Sequence, residues 1–187
     1  DIDTLVQEMA RELQDLLKQR HISNPLMIGI HTGGVWVAQA LRKRLGLEEP
    51  LATLDIGFWR DDFGHKGLPD GGQGSQLPDI ENRDLLLVDD VLHTGRTTRA
   101  ALNEIFDYGR PATVTLAVLV ERSGRELPIQ PDVFGLEPPL QDSEHIRLRG
   151  PAPLPAVVPS ITARIPGWIS FWMASRSTSV SWIQVCV

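Results

Sequence analysis

Three stretches of the chain, LMIGI (26–30), DLLLVDD (84–90) and TVTLAVLVE (113–121), are apolar almost without alternation. A strand with one wet face alternates polar and apolar residues, so uninterrupted aliphatic runs of this length fit strands covered on both sides. Segments with helical character lie between them. Val35 to Leu45 reads as a helix capped by Gly46, and Thr97 to Tyr108 as a helix closed by Gly109 with Pro111 beyond it. TLDIGFW (53–59) supplies a further strand, which makes four. Ile2, Leu5, Val6, Met9, Leu13, Leu16 and Leu17 recur at helical spacing, which predicts an amphipathic helix over 2–20 that ends before Ser23-Asn24-Pro25. Strands and helices in alternation, with strands that need cover on both faces, predict a doubly wound parallel α/β sheet.

A chain of 187 residues suits one domain of ordinary size, or one domain and a tail. The boundary is expected at residue 150. From Pro151 to Val187 the only charged side chains are Arg164 and Arg176, yet three of the five Trp (Trp168, Trp172, Trp182) lie there. That composition yields no derivable fold for 151–187. The formal net charge of −6 argues against a surface built as a whole for nucleic acid, while leaving room for a local basic patch. The single cysteine, Cys186, excludes an internal disulfide framework. No apolar run is long enough to span a bilayer, and DIDTLVQEMARELQDLLKQR lacks the layout of a secretory signal, so a cytoplasmic location without a membrane partner is expected. Arg42, Lys43 and Arg44 cluster at a helix end, where favourable placement in the helix dipole accounts for them.

Residues 60–80 (RDDFGHKGLPDGGQGSQLPDI) are rich in Gly, Pro and Asp without periodicity, and a connection this long reads as a functional flap. The strongest chemical signal is LLLVDDVLHTGRT (85–97). Ligands of open parallel sheets bind beyond the carboxyl ends of the strands, and Asp89 and Asp90 lie at such an end. The following turn, with the hydroxyls of Thr94 and Thr97, Gly95 for close backbone approach and the positive Arg96, is suited to an anion. A helix terminus favours such an anion by about 0.3–2 kcal/mol. Two carboxylates beside a phosphate cradle would repel a bare phosphate. They suit a ligand with hydroxyls or Mg²⁺ next to its phosphate, such as a ribose 5-phosphate. A Walker-type nucleotide site is set aside because no GxxxxGK[ST] is present. A pair of solvated acids capping a helix is the remaining structural explanation.

The 85–97 stretch resembles the phosphoribosyl pyrophosphate (PRPP) signature of type I phosphoribosyltransferases. With GIHTGGVWVA (29–38), DIGFWRDD (55–62), VDDVLHTGRTTRAALNEIFDYGRP (88–111) and LAVLVERSGRELPIQPD (116–132), the chain resembles the PyrR family of bifunctional pyrimidine-operon regulators and uracil phosphoribosyltransferases over roughly residues 1–150. The resemblance implies a type I fold with a flexible flap. It also implies transfer of phosphoribose from PRPP to uracil, giving UMP and pyrophosphate, with Mg²⁺ bound mainly through PRPP and no dedicated protein metal site. Carried over position by position, it puts Asp89 and Asp90 at the ribose hydroxyls and Val91, Leu92, His93, Thr94, Gly95, Arg96 and Thr97 around the 5-phosphate. Thr32 and Gly33 fall at pyrophosphate, Arg60 on the pyrophosphate side of the donor, and Arg122 and Ile146 near the nucleotide. Asp89, Asp90 and Arg60 are the implied catalytic set. Leader RNA of pyrimidine operons and a homodimer or homotetramer are the implied partners.

Where many members carry a basic KTRG-like loop, this chain has His31-Thr32-Gly33-Gly34. Loss of a bidentate arginine weakens the expected grip on a diphosphate. Two alternatives to the enzyme follow: a UMP- or PRPP-responsive RNA-binding regulator with little catalysis, and a nucleotide sensor with no RNA partner.

Overall fold

The computed structural model describes residues 2–56, 75–140, 145–149 and 182–186. Its strands are β1 Leu26–Ile30, β2 Ala52–Leu54, β3 Asp84–Leu92, β4 Thr113–Glu121, β5 Val133–Leu136, β6 His145–Arg149 and β7 Trp182–Cys186. The helices are α1 Ile2–Gln19, α2 Gly33–Leu45 and α3 Arg96–Tyr108. Among the described residues, five strands form one parallel sheet in the order β2-β1-β3-β4-β5.

Successive side chains of a strand point to opposite faces, and the aliphatic runs divide accordingly. Met27, Leu86, Val88, Ala117 and Leu119 meet Val6, Met9 and Leu13 of α1 and Val37 and Leu41 of α2 on one face. Leu26, Ile28, Leu85, Leu87, Leu116 and Val118 meet Ala101 and Ile105 of α3 on the other. The expected two-sided cover is therefore present. Each fully buried Leu or Ile contributes about 1.5–3 kcal/mol, so this double layer holds the sheet. Gly46 ends α2 in the left-handed region, as expected. Gly109 ends α3 in an extended conformation, its N–H donating to the Ile105 carbonyl.

Several element bounds differ from expectation. The second strand covers Ala52–Leu54 rather than 53–59, because its partner β1 ends at Ile30, opposite Leu54. Residues 57–59 of that segment lie outside the described residues. β3 runs two residues beyond Asp90, since Val91 and Leu92 still pair with Val120 and Glu121 of β4. Both helices that follow the central strands begin early, α2 at Gly33 and α3 at Arg96. β5 adds a fifth strand to the four that the sequence predicts: VFGL is a short edge strand without a long apolar run. Of the segment expected as a flap, 60–80, residues 60–74 lie outside the described residues, but 75–80 is anchored. Gln76 exchanges backbone hydrogen bonds with Thr53 (2.8 and 3.3 Å), and Ile80 is buried on the α3 face. The open edge of β2 and an isoleucine in the core explain that anchoring. Beyond the main sheet, β6 pairs antiparallel with β7, so part of the segment after residue 150 is a strand.

The Arg42-Lys43-Arg44 cluster is structural where it can be traced. Arg42 donates to the carbonyls of Glu48 and Glu49 (2.8 and 2.7 Å), and Arg44 bonds the Ala40 carbonyl (3.0 Å) and Asp3. The loop after α2 is tied to the start of β3 by a two-pronged ion pair, Arg83 Nη1 and Nη2 to Glu49 Oε1 and Oε2 (2.7 and 2.5 Å). The Arg83 hydrogen bonds hold the Glu49 carboxyl below its ordinary value of 4.5 against the opposing effect of burial. A lowered folded-state pKa stabilises above the unfolded value and is lost as pH falls through the folded one. Glu49→Gln is therefore expected to cost about 0.5–1 kcal/mol near pH 7, and essentially nothing well below pH 4. Urea unfolding of both proteins at pH 7 and in acid checks this; an equal difference at both pH values would refute it.

Candidate active site

From β1 the chain crosses through α2 on one face to β2, and from β3 it crosses through α3 on the other face to β4. The connections thus diverge between the carboxyl ends of β1 and β3. Open α/β sheets bind ligands at such a switch point. Asp89 and Asp90 lie at that place, within β3 near its carboxyl end as expected.

The β1 pairing of β3 ends at Gly29 opposite Val88, and the first turn of α2 lies directly against the next two residues. A Cβ on Gly34 would stand 2.5 Å from the Val88 carbonyl oxygen and 2.9 Å from Asp89 Cα. One on Gly33 would fall onto the Asp90 carboxylate. Only hydrogen fits at Gly34, and a side chain at Gly33 would have to displace the Asp90 carboxylate, so the start of the helix abuts both acids. Asp89 is buried, its Oδ1 accepting the Asp90 N–H (2.9 Å), whereas Asp90 is half-buried. Neither acid projects freely into bulk water. Thr32 occupies the α2 N-cap without a side-chain capping bond, and the His31–Thr32 peptide is cis.

After β3, residues His93–Gly95 turn into α3. Gly95 takes φ of +92°, a left-handed conformation that favours glycine, and it too caps its helix without a side-chain bond. Two helix N-termini without side-chain caps therefore flank one pair of carboxylates. Amides at such ends are suited to anions, while carboxylates accept from hydroxyls. The Arg96 N–H donates to Thr94 Oγ1 (3.3 Å), and the Arg96 guanidinium engages Glu126 through Nε (2.9 Å) and Nη2 (2.8 Å).

Of the expected site residues, the fold brings Gly33, Asp89, Asp90 and the turn through His93, Thr94, Gly95, Arg96 and Thr97 together. Thr32 is exposed at the cap, and Gly33 is helical rather than part of a loop. Val91 and Leu92 are not part of the turn. They continue the β3–β4 ladder, with Leu92 buried on the α3 face and Val91 packed on the other, so their side chains serve the core. Arg122 is buried just past β4, its N–H donating to the Leu92 carbonyl (2.8 Å). Ile146 lies on β6 as a core residue of the α1–α2 face. Arg60 lies outside the described residues. Sequence reasoning passed over Gly34, although a Gly-Gly pair at a strand-to-helix junction is a signal of close backbone approach. Among the described residues no group of three or more His, Cys, Asp or Glu could hold a metal by itself. No described helix is long and apolar enough to cross a membrane.

The phosphoribosyl transferase domain model matches residues 1–148. A protein of Pseudomonas paraeruginosa named bifunctional protein PyrR is 56% identical over 151 residues, which is 80% of this chain and 89% of that protein. Its namesake in Nitrosococcus oceani is 54% identical over 157 residues, 82% of this chain and 89% of that protein. Among solved structures, a purine phosphoribosyltransferase of Pyrococcus horikoshii superposes with a TM-score of 0.54 at 21% identity, covering 73% of this chain and 82% of that one. A hypoxanthine-guanine phosphoribosyltransferase of Bacillus anthracis gives 0.57 at 16%, covering 74% and 77%. The structural likenesses establish the fold.

Proposed function

The chain belongs to the phosphoribosyl transferase domain family and, within it, to the PyrR proteins, and we propose on that premise that it makes UMP and pyrophosphate from uracil and PRPP and regulates pyrimidine biosynthesis genes. The observation that carries the catalytic half is the packing of the α2 N-terminus against Asp89 and Asp90, with the His93–Gly95 turn opening α3 beside them.

In this reading Asp89 and Asp90 accept from the ribose hydroxyls, and the turn from His93 to Thr97 binds the 5-phosphate. Thr32 and Gly33, at the start of α2, face pyrophosphate. Arg60 completes that side from the flap, and Arg122 and Ile146 stand near the nucleotide. Breaking the bond from ribose C1 to pyrophosphate leaves positive charge on the sugar, which paired carboxylates stabilise. Catalysis is then positioning and charge stabilisation, without a covalent step on the protein. Among the described residues the site offers Asp89 and Asp90 as carboxylates, a pair suited to Mg²⁺ held mainly by the oxygens of PRPP. When bound, it neutralises charge on the departing diphosphate. The phosphoribosyltransferase domain is taken as residues 1–150, and of the segment 151–187 that follows it β7 pairs with β6 at its border. A cytoplasmic homodimer or homotetramer that binds operon leader RNA completes the proposal.

The absence of an Arg or Lys from His31-Thr32-Gly33-Gly34 favours a second reading, a UMP- or PRPP-responsive RNA-binding regulator with weak or no catalysis. Incubation with PRPP, Mg²⁺ and radiolabelled uracil distinguishes them. UMP formation proportional to protein is the expected result. No product at any protein level, with salt-sensitive binding of leader RNA retained, would establish the second reading instead.

A further inference from the structure

The segment Glu121–Leu127 lies alongside the turn that opens α3; Glu126 pairs with the Arg96 guanidinium, and three further hydrogen bonds fall on the backbone carbonyls of that turn. Arg125 Nη1 donates to the His93 carbonyl (2.5 Å), and the N–H groups of Glu126 and Leu127 both donate to the Thr94 carbonyl (3.1 Å each). A planar trans peptide points its C=O and N–H in opposite directions. With the His93 carbonyl drawn toward Arg125, the N–H of Thr94 faces away from this segment. With the Thr94 carbonyl drawn toward Glu126 and Leu127, so does the N–H of Gly95. On its outer side Gly95 is closed off by Leu127 and Ile129, whose Cβ atoms lie 3.3 and 3.7 Å from where its own Cβ would be.

We infer that Arg125 is a positioning residue for the phosphate turn: braced by Glu121, it holds the His93 carbonyl outward so that the turn presents its amides to the 5-phosphate. The inference rests on the reading of this site as one for PRPP. Arg125 Nη2 is engaged by Glu121 Oε1 (2.6 Å), so the two prongs of one guanidinium join a carboxylate at the end of β4 to a backbone oxygen after β3. Both side chains are about one-fifth exposed, which keeps water from replacing either bond freely. A planar fork spans two acceptors in fixed geometry, whereas an ammonium is a single point of charge. The role is therefore specific to arginine. It gives the SGREL stretch a physical task inside this site, separate from any contact with substrate.

The test compares the full chain with Arg125→Gln and Arg125→Lys, by calorimetric titration of ribose 5-phosphate and by steady-state kinetics. Arg125→Gln is expected to weaken ribose 5-phosphate about tenfold and to raise the KM for PRPP by a similar factor. The KM for uracil should stay within about twofold and kcat within about threefold, a split that general loosening of the fold would not produce. Arg125→Lys should recover part of the loss, because charge is kept and one of the two bonds remains. Ribose 5-phosphate binding by Arg125→Gln within about twofold of the parent would overturn the inference. Should that variant not fold, Glu121→Gln, which strips the charge from the acceptor of one prong, must shift the same constant in the same direction; no shift there overturns it equally. A parent protein that does not bind ribose 5-phosphate refutes the proposed function instead, so the two failures are separable.

Discussion

Asp90→Asn is expected to lower kcat/KM for PRPP about a hundredfold while leaving the protein at least as stable as its parent. Asp90 is half-buried beside Gly33, one residue from the buried Asp89. An amide has nearly the same shape, so packing against α2 is preserved. In the proposed site, what disappears is a full negative charge beside a sugar that becomes cationic as pyrophosphate departs, together with its stronger hydrogen bonds to hydroxyls. Because that charge matters more in the transition state than in the ground state, kcat should carry much of the loss. The KM for uracil should change little. Stability should hold or rise, since one of two adjacent like charges is removed from a partly buried place. Initial rates across PRPP concentrations, with thermal unfolding of both proteins, measure the two halves together. A rate within threefold of the parent would take Asp90 out of the site.

The second large effect is steric. Gly34→Ala places a methyl 2.5 Å from the Val88 carbonyl oxygen and 2.9 Å from Asp89 Cα, both backbone atoms of β3. Neither retreats as a flexible side chain would, so α2 must lift from the sheet or β3 must shift. Overpacking of this kind costs about 3 kcal/mol, which for a chain of this size lowers the melting temperature by roughly 6–12 °C. The displaced strand carries both acids, so activity should fall even where the variant remains folded. Gly46→Ala is the control. Nothing lies within 4 Å of its would-be Cβ, but its φ of +67° still strains a side chain. It should cost about 1 kcal/mol and leave kcat/KM unchanged. A melting loss for Gly34→Ala no larger than that for Gly46→Ala would show that β3 yields to the methyl and that the close approach is not a tight constraint.

These two residues differ in how visible they are from the sequence. Asp89 and Asp90 stand out because a buried aliphatic strand ends in charge, which is costly without a purpose. Gly34 does not stand out in the same way, since its constraint comes from Val88 and Asp89, more than fifty positions away in the chain. Val91 and Leu92 show the converse. By proximity to the acids they read as part of the phosphate turn, yet β4 is long enough to keep pairing with them, and the ladder takes them into the core. Arg96 reads as a cation for the phosphate, whereas its guanidinium engages Glu126, a partner that only the return of the chain after β4 supplies.

The sequence by itself determined the layered α/β architecture, the helices and the paired acids beside a glycine turn. Those features follow from local periodicity, from capping residues and from the cost of burying charge, all of which are written in neighbouring residues. Tertiary structure alone decided the strand order β2-β1-β3-β4-β5, the divergence of α2 and α3 between β1 and β3, and the seating of Gly33 and Gly34 on the acids. It also decided the brace from Arg125 to the His93 carbonyl. These depend on how distant segments meet, and a hydrogen-bond acceptor or a missing Cβ acquires its meaning only once the facing atom is in place.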